Sequence, residues 1–250
     1  MTFILVIILG LVVGSFLNAV IYRLKVGVSF LKGRSYCPFC EHDLTFWDLI
    51  PLFSFVFLKG KCRYCQKPIS WQYPLVELAT ALAFLLLIWH FGLGYEFFVY
   101  LIYTCFLLVI FTYDLRYYLI PDKVSLPAMV VAFLLSFFVL KISLISLLGG
   151  ALIGGGFFLV QFVVSKGKWI GGGDIRLGIL MGVMLGYQQL LVALFIAYLL
   201  GSFIGLGLII FGKKKLRSQV PFGTFLSLAT FIAFLFGDLL IIFYKDLFLL

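Results

Sequence analysis

The residues whose types and spacing can do chemistry in this 250-residue sequence are few. Four cysteines form two knuckles, CPFC (Cys37, Cys40) and CRYC (Cys62, Cys65), and two aspartates, Asp114 and Asp174, stand at the edges of apolar runs. Two CxxC pairs with 21 residues between them have the spacing of a four-thiolate zinc site, with a redox pair or unliganded thiols as the alternatives. Four protein sulfurs leave no coordination position for a metal-bound water, so the expected Zn²⁺ is structural. His42, two residues past Cys40, is either a spare ligand or a solvated loop histidine. Cys105 stands alone in an apolar run and reads as a small buried hydrophobe.

Carboxylates in or beside membrane segments are costly to bury without a function or partner. Asp114 lies in FTYDLRYYLIPD, which Asp122 closes; Asp174 lies in GGGDIRL, Glu77 in YPLVEL, and Asp238 in the last apolar run. Two facing carboxylates that share a proton can activate water and protonate a leaving amine, the requirement of aspartic peptide hydrolysis. Separate salt bridges to Arg116, Arg176 or Lys168 are the structural alternative. Helix dipoles suggest a division of labour, with Asp174 at a helix N-terminus as base and Asp114 at a helix C-terminus as acid. Gly171, Gly172 and Gly173 would let another backbone approach the Asp174 carboxylate. Asp122, after Pro121, reads as a helix cap.

These residues must be positioned by membrane helices. The chain is 64% hydrophobic and 12% charged, against about 25% charged for a soluble domain. That balance excludes a single soluble core as well as a disordered or collagen-like chain. Charge-free or nearly charge-free runs cover 1–22, 78–95, 97–113, 124–140, 142–165, 177–212 and 220–237, the last continuing past Asp238. The run 177–212 would make a helix of roughly 54 Å, enough for two crossings of a ~30 Å core. Its natural break is at 186–189, and its first half is short. The expected fold is therefore an all-α polytopic membrane protein of about eight transmembrane helices. The first segment has no basic n-region or small-residue cleavage site and reads as a retained span. With the N-terminus outside, 17 of the 19 basic residues fall on the cytoplasmic side, as Lys and Arg do in membrane proteins. The net charge of +9 then records orientation and attraction to anionic lipid at that face, and nucleic-acid binding is not expected. The domain reading is a first helix at 1–22, a cytoplasmic four-cysteine zinc-binding domain at 23–73, and a multi-helix membrane domain at 74–250. A proton-coupled transporter would favour midplane carboxylates and paired repeats, and no clear internal repeat is visible. A zinc-loop scaffold would not need both Asp114 and Asp174.

GSFLNAVIYR (14–23), the two CxxC knuckles, PISWQYPLVEL (68–78), Asp114 with Pro121 and Asp122, GGGDIRL (171–177) and PFG (221–223) resemble, in order, the blocks of bacterial type IV prepilin peptidases, of the GxGD class of membrane aspartic peptidases. The resemblance implies an enzyme of the bacterial inner membrane that cleaves the basic leader of prepilins or pseudopilins at the cytoplasmic face. It implies Asp114 and Asp174 as the catalytic pair and Cys37, Cys40, Cys62 and Cys65 as zinc ligands. It also implies, for many members, N-methylation of the new N-terminus with S-adenosylmethionine, although no glycine-rich nucleotide fold is visible. Arg176 stands where Lys is common, and Thr224 where Pro often follows PFG. A basic leader facing a positive surface calls for an acidic contact, for which Glu77, Asp122 and Asp48 are candidates, with Gly171–Gly173 beside the peptide. No motif encodes oligomeric state, or whether the substrates serve pili, competence or secretion.

Overall fold

The computed structural model describes residues 1–29, 33–211 and 220–247. The basic cluster Lys213, Lys214, Lys215 and Arg217 and the basic residue Lys32, all assigned above to the cytoplasmic side, lie outside the described residues. The described residues form helices, with two isolated bridges and no named strand among them. Among the described residues, seven helices are long and apolar enough to cross a membrane. The chain divides into two compact units, Met1–Phe97 and Phe98–Leu250.

The first unit holds α1 (Thr2–Val26), a 3₁₀ turn (Phe46–Leu49), the short α2 (Phe53–Phe57) and α3 (Gln72–Phe91). Helices in lipid gain little from apolar burial and associate instead where small residues allow close approach. Gly10 and Gly14 supply that approach. A Cβ on Gly10 would stand 2.5 Å from the Ala81 Cα, and one on Gly14 2.7 Å from the Glu77 Cα. The end of this helix pair at which α3 begins is tied by polar groups of the GSFLNAVIYR block. Asn18 Nδ2 donates to the Tyr73 carbonyl (3.0 Å) and Gln72 Nε2 to Asn18 Oδ1 (3.3 Å). Arg23 Nη2 donates to the Gly33 and Arg34 carbonyls (2.8 and 3.0 Å), so the helix end holds the start of the loop.

The second unit takes nearly all of α4 (Tyr95–Tyr117), then α5 (Asp122–Leu134, continued by a π turn at Leu135–Val139), α6 (Leu144–Ser165), α7 (Gly172–Ile210) and α8 (Phe222–Leu247). Helices α1 and α4 run past the charge-free limits read from sequence and carry Arg23, Lys25, Asp114 and Arg116 in or near their last turns. Cations in a last turn suit the helix dipole, so a charge does not end the helix. Polar groups inside the unit pair locally: the Tyr103 hydroxyl donates to the Ala132 carbonyl (2.9 Å) and lies 2.7 Å from Ser136 Oγ, against the π turn.

Helix α7 doubles back. Gly186 is non-helical (φ 71, ψ 175), a conformation that glycine adopts without steric cost. Before it, Gly178 and Gly182 press against Gly154 and Gly150 of α6, one number rising as the other falls. After it, Leu190 meets Gly154, and Tyr198 meets Phe157 and Gln161, both numbers rising together. The first half therefore runs antiparallel to α6 and the second half parallel to it. The 39-residue helix makes two passes, as expected from its length, and the first is the short one at about 21 Å. Helix α8 then runs antiparallel to the second half, with Phe222 beside Tyr198 at one end and Gly237 and Asp238 beside Gln189 at the other. The close seam of α6 on α7 depends on glycine: a Cβ on Gly182 would fall 2.2 Å from Gly150 backbone atoms.

Candidate active site and metal centre

Asp114 projects from the last turn of α4 and is 5% exposed. Its Oδ2 accepts the Thr224 amide (2.9 Å), and the Gly223 amide also donates to the carboxylate. Both donors belong to the first turn of α8, where backbone N–H groups lack helical partners. The PFG block thus acquires a role that sequence reading did not assign it: it brings the start of α8 onto Asp114. The fit is tight enough that a Cβ on Gly223 would sit 2.9 Å from Asp114 Oδ2.

Asp174 is the third residue of α7 and 8% exposed. Its Oδ2 accepts the Gly171 amide (2.9 Å), and its own amide donates to the Gly171 carbonyl (3.1 Å). Gly171 is extended at the N-cap (φ −87, ψ 159). The two carboxylates lie within electrostatic range of each other, and neither has an ion-pair partner among the described residues. Among the described residues, the salt bridges from Asp114 or Asp174 offered as the structural alternative do not appear. Arg176 pairs with Asp122 at the start of α5, and its Nε reaches back to the Gly172 carbonyl (3.4 Å). Asp122 is thus in the first turn of α5, behind Pro121 at the cap position, with its carboxylate turned to Arg176.

The link between α4 and α5 passes through the site. After Tyr118 (φ 56), whose amide closes on the Asp114 carbonyl (2.8 Å), Ile120 enters between Gly173 and Gly223. A Cβ on Gly173 would stand 3.0 Å from Ile120, whereas one on Gly172 meets only an Arg176 nitrogen at 4.0 Å. Of the three glycines, Gly173 serves packing, while Gly171 and Gly172 leave space. Tyr198, from the returning half of α7, also feels the Asp174 charge and donates its hydroxyl to Gln161 Oε1 (2.9 Å). A tyrosine in an apolar run carries no sequence signal for such a place.

Asp114 stands at the C-terminal end of α4, which alone would make it the acid and Asp174 the base, but it is also capped onto the N-terminus of α8. Both carboxylates therefore meet helix N-termini, and the dipoles do not separate their roles.

In the first unit, Glu77 is 6% exposed; its Oε2 accepts the Leu52 amide (2.9 Å), and Ser15 also bonds to it. It anchors the chain just before α2. Asp48 is more fully occupied still, accepting from the Thr45 amide (3.0 Å), Thr45 Oγ1 (2.7 Å), Tyr64 (3.2 Å) and Arg63 Nε (2.7 Å). Burial raises the Asp48 carboxyl, but the Thr45 and Arg63 donors outweigh it and hold it below the usual range. With its side chain 3% exposed against Arg63, Asp48 presents little surface for a leader contact.

The four cysteine sulfurs lie within 4.8 Å of one another, with Cys37 Sγ and Cys65 Sγ 3.9 Å apart. Tetrahedral Zn–S bonds of ~2.3 Å would place sulfurs about 3.8 Å apart, so the set fits zinc. Each knuckle repeats one backbone pattern: Cys37 N to His42 O and Glu41 N to Cys37 O in the first, Cys62 N to Lys67 O and Gln66 N to Cys62 O in the second. Glu41 and Gln66 are matching left-handed residues (φ 56 and 59). The pairing across the knuckles is reciprocal, since His42 lies on the Tyr64 ring (3.7 Å) and Lys67 over the Phe39 ring (4.9 Å). This is an eight-residue repeat, 36–43 and 61–68, in a sequence that showed no clear repeat to pattern reading. His42 is outside the sulfur cluster. Burial raises the Cys37 thiol, but the Phe39 and Cys40 amides with the Cys40 and Cys62 thiols bring it down to about 7. At Cys40 the His42 amide lowers the thiol, while burial and the Cys37 and Cys65 thiols together push it up to about 11.

Residues 8–91 match the Bacterial Peptidase A24 N-terminal domain, and residues 101–206 match the Type IV leader peptidase family. The chain is similar to the prepilin leader peptidase/N-methyltransferase of Bacillus subtilis (strain 168), at 35% identity over 95% of each chain. It is similar also to the proteins of that name from Stutzerimonas stutzeri, 33% identical over 93% of this chain and 90% of the relative, and Pseudomonas aeruginosa, 33% identical over 93% and 89%. No solved structure matches. Neither the transporter nor the scaffold reading finds support among these relatives.

Proposed function

The chain belongs to the type IV leader peptidase family, and we propose that Asp114 and Asp174 are the catalytic pair with which it removes the leader of prepilin-like proteins. The observation that carries this reading is the burial of two carboxylates, from separate helices, within range of each other and without a counter-ion among the described residues. Such a pair holds one proton between its members. The ionised member takes a proton from water as the water oxygen bonds to the scissile carbonyl carbon. The protonated member gives its proton to the carbonyl oxygen. Collapse of the tetrahedral gem-diol breaks the C–N bond: the amine leaves with the proton that the first member took from water, and one gem-diol hydroxyl gives its proton back to the other member, so that the pair again holds one proton. The peptide must be extended there, because helical hydrogen bonds would cover the carbonyl.

A prepilin has an apolar helix and a basic leader, so its scissile bond lies at a membrane edge, and the bias of Lys and Arg to one set of loops supports the cytoplasmic face of the inner membrane. Gly171 and Gly172 leave room for the substrate backbone near Asp174, and Asp122 and Glu77 remain the acidic candidates for the leader. The four cysteines would hold Zn²⁺, which cross-links the loop between α1 and α3 and takes no part in hydrolysis. The methyl donor for the second activity in the relatives' names would be S-adenosylmethionine.

The test is leader cleavage of a prepilin in proteoliposomes by Asp114→Asn and Asp174→Asn proteins. Each is expected to lose at least about 10³-fold in rate, the scale of removing an essential acid–base group. Substantial cleavage by both variants would sink the dyad.

A further inference from the structure

The loop between α1 and α3 turns its large apolar side chains outward. Phe46 is 76% exposed, Trp47 68%, Val56 70%, Phe57 81% and Trp71 70%, with Phe53 beside them. Helix α2 has no buried residue at all. Trp47, Ile50, Phe53, Phe57 and Leu58 line an open hollow of about 460 Å³. Soluble monomers rarely expose contiguous apolar groups on this scale. The zinc ligands do not need them, since Cys37 and Cys62 are the buried members of this loop and face inward.

Three features identify what covers this surface. The loop is pinned at both ends to membrane helices, α1 through Arg23 and α3 through Trp71, the residue before its first turn. Residues 49–58, LIPLFSFVFL, are ten consecutive uncharged residues, too short to span a bilayer and of a length suited to an interfacial segment. The charges that follow that segment, as far as α3, are all basic. Lys59, Lys61, Arg63 and Lys67 follow it, and the only acid between 44 and 76, Asp48, has its side chain 3% exposed against Arg63. An apolar surface rimmed by cations, with Trp at its border, matches the boundary between acyl chains and anionic headgroups.

We propose that the surface formed by Phe46, Trp47, Phe53, Val56 and Phe57 sits in the lipid interface beside the ends of α1 and α3, with Lys59 and Lys61 on anionic headgroups. The loop is then a monotopic foot of the membrane domain, and the zinc cluster is held at interfacial depth instead of projecting into solvent. This placement does not depend on the peptidase reading.

Trp47 reports it. The full-length protein carrying Trp71→Phe, Trp89→Phe and Trp169→Phe has Trp47 as its one tryptophan, and zinc content checks that the loop is folded. If the substituted protein does not fold, the difference between wild type and Trp47→Phe supplies the same signal. In vesicles of phosphatidylglycerol and phosphatidylcholine whose acyl chains are brominated near the headgroup end, Trp47 emission is expected to fall about twofold or more, and aqueous iodide to quench it little. Phe53→Ser with Phe57→Ser should at least halve the bromolipid quenching. Lys59→Gln with Lys61→Gln should remove its dependence on phosphatidylglycerol. Quenching by iodide and not by bromolipid would overturn the proposal in favour of a solvated loop. Quenching by neither would overturn it in favour of cover by protein.

Discussion

Gly223→Ala adds one methyl group at the point where α8 begins and Asp114 ends its reach. The new Cβ would stand 2.9 Å from Asp114 Oδ2, 3.1 Å from its Cγ and 3.1 Å from Ile120 Cδ1. Ordinary contact lies at roughly 3.4 Å or beyond, so the carboxylate must retreat by about 0.4–0.5 Å. Ile120 closes one side and Gly173 stands behind Ile120, so the retreat also stretches the 2.9 Å bond from Thr224 N. A misplacement of ~1 Å costs about 10²-fold in rate, and half of that about tenfold, or ~1.4 kcal/mol. The loss should appear in kcat with little change in KM, because the carboxylate serves the chemical step.

The assay is initial-rate leader cleavage at several substrate concentrations, with thermal unfolding in the same detergent. Gly156→Ala is the control, since a Cβ there meets nothing within 4 Å and alanine favours helix. It should leave kcat unchanged. If Gly223→Ala is folded, as stable as the parent and within twofold of its kcat, then Asp114 does not need the position that α8 gives it, and the proposed catalytic geometry is wrong.

Gly182→Ala should lower the unfolding midpoint by several degrees, because its Cβ would meet Gly150 backbone atoms at 2.2 Å and the helices must separate; overpacking of this kind costs about 1–3 kcal/mol. An unchanged midpoint in a detergent melt would deny the close seam. Cys62→Ser should take bound zinc from about one per chain to near none by atomic emission and make residues 33–71 sensitive to protease, while fragments from α4 to α8 persist. Asp48→Asn should weaken zinc binding about fivefold at neutral pH, through loss of ~1 kcal/mol of charge-assisted bonds. Because the Asp48 carboxyl is lowered from 3.8 in the folded loop, its contribution is complete above that value and fades as pH falls through the lower folded one. The difference in loop stability between parent and variant, measured by urea, should shrink only in that acid range.

What the sequence could reveal was local or forced by the membrane. The cysteine knuckles are closed by bonds spanning five residues, such as Cys37 N to His42 O, so their spacing is visible in a short window. Asp114 and Asp174 stood out because carboxylates are scarce in such a chain, and the break at Gly186 because 36 uncharged residues are too long for one crossing. What stayed hidden was carried by distance in sequence. The amide that holds Asp114 comes from Thr224, 110 residues away, and Ile120 between Gly173 and Gly223 joins three segments that no periodicity relates. The reciprocal fit of the knuckles escaped because the matching residues, His42 with Tyr64 and Lys67 with Phe39, differ in type while their backbones agree. Asp122 with Arg176 was legible only as two separate charges.

The same bond decides which substitution can interrogate Asp114. The first amides of a helix have no partners within it, and where they are buried no water replaces them. Asp114 supplies the acceptor for the start of α8, so it supports the fold as well as offering an ionisable group. Asparagine keeps one carbonyl oxygen that can accept the Thr224 amide, while it loses the negative charge, the second acceptor oxygen and the ability to exchange a proton. Alanine removes both and leaves buried N–H groups unpaired, at roughly 1–3 kcal/mol each. An inactive Asp114→Ala protein would therefore be consistent with a purely structural aspartate, whereas an inactive Asp114→Asn protein with an unchanged unfolding midpoint would not. Asp174 differs in degree: its carboxylate caps its own helix through Gly171 N, a bond within one turn whose loss frays α7 locally, so at that position alanine and asparagine should agree more closely.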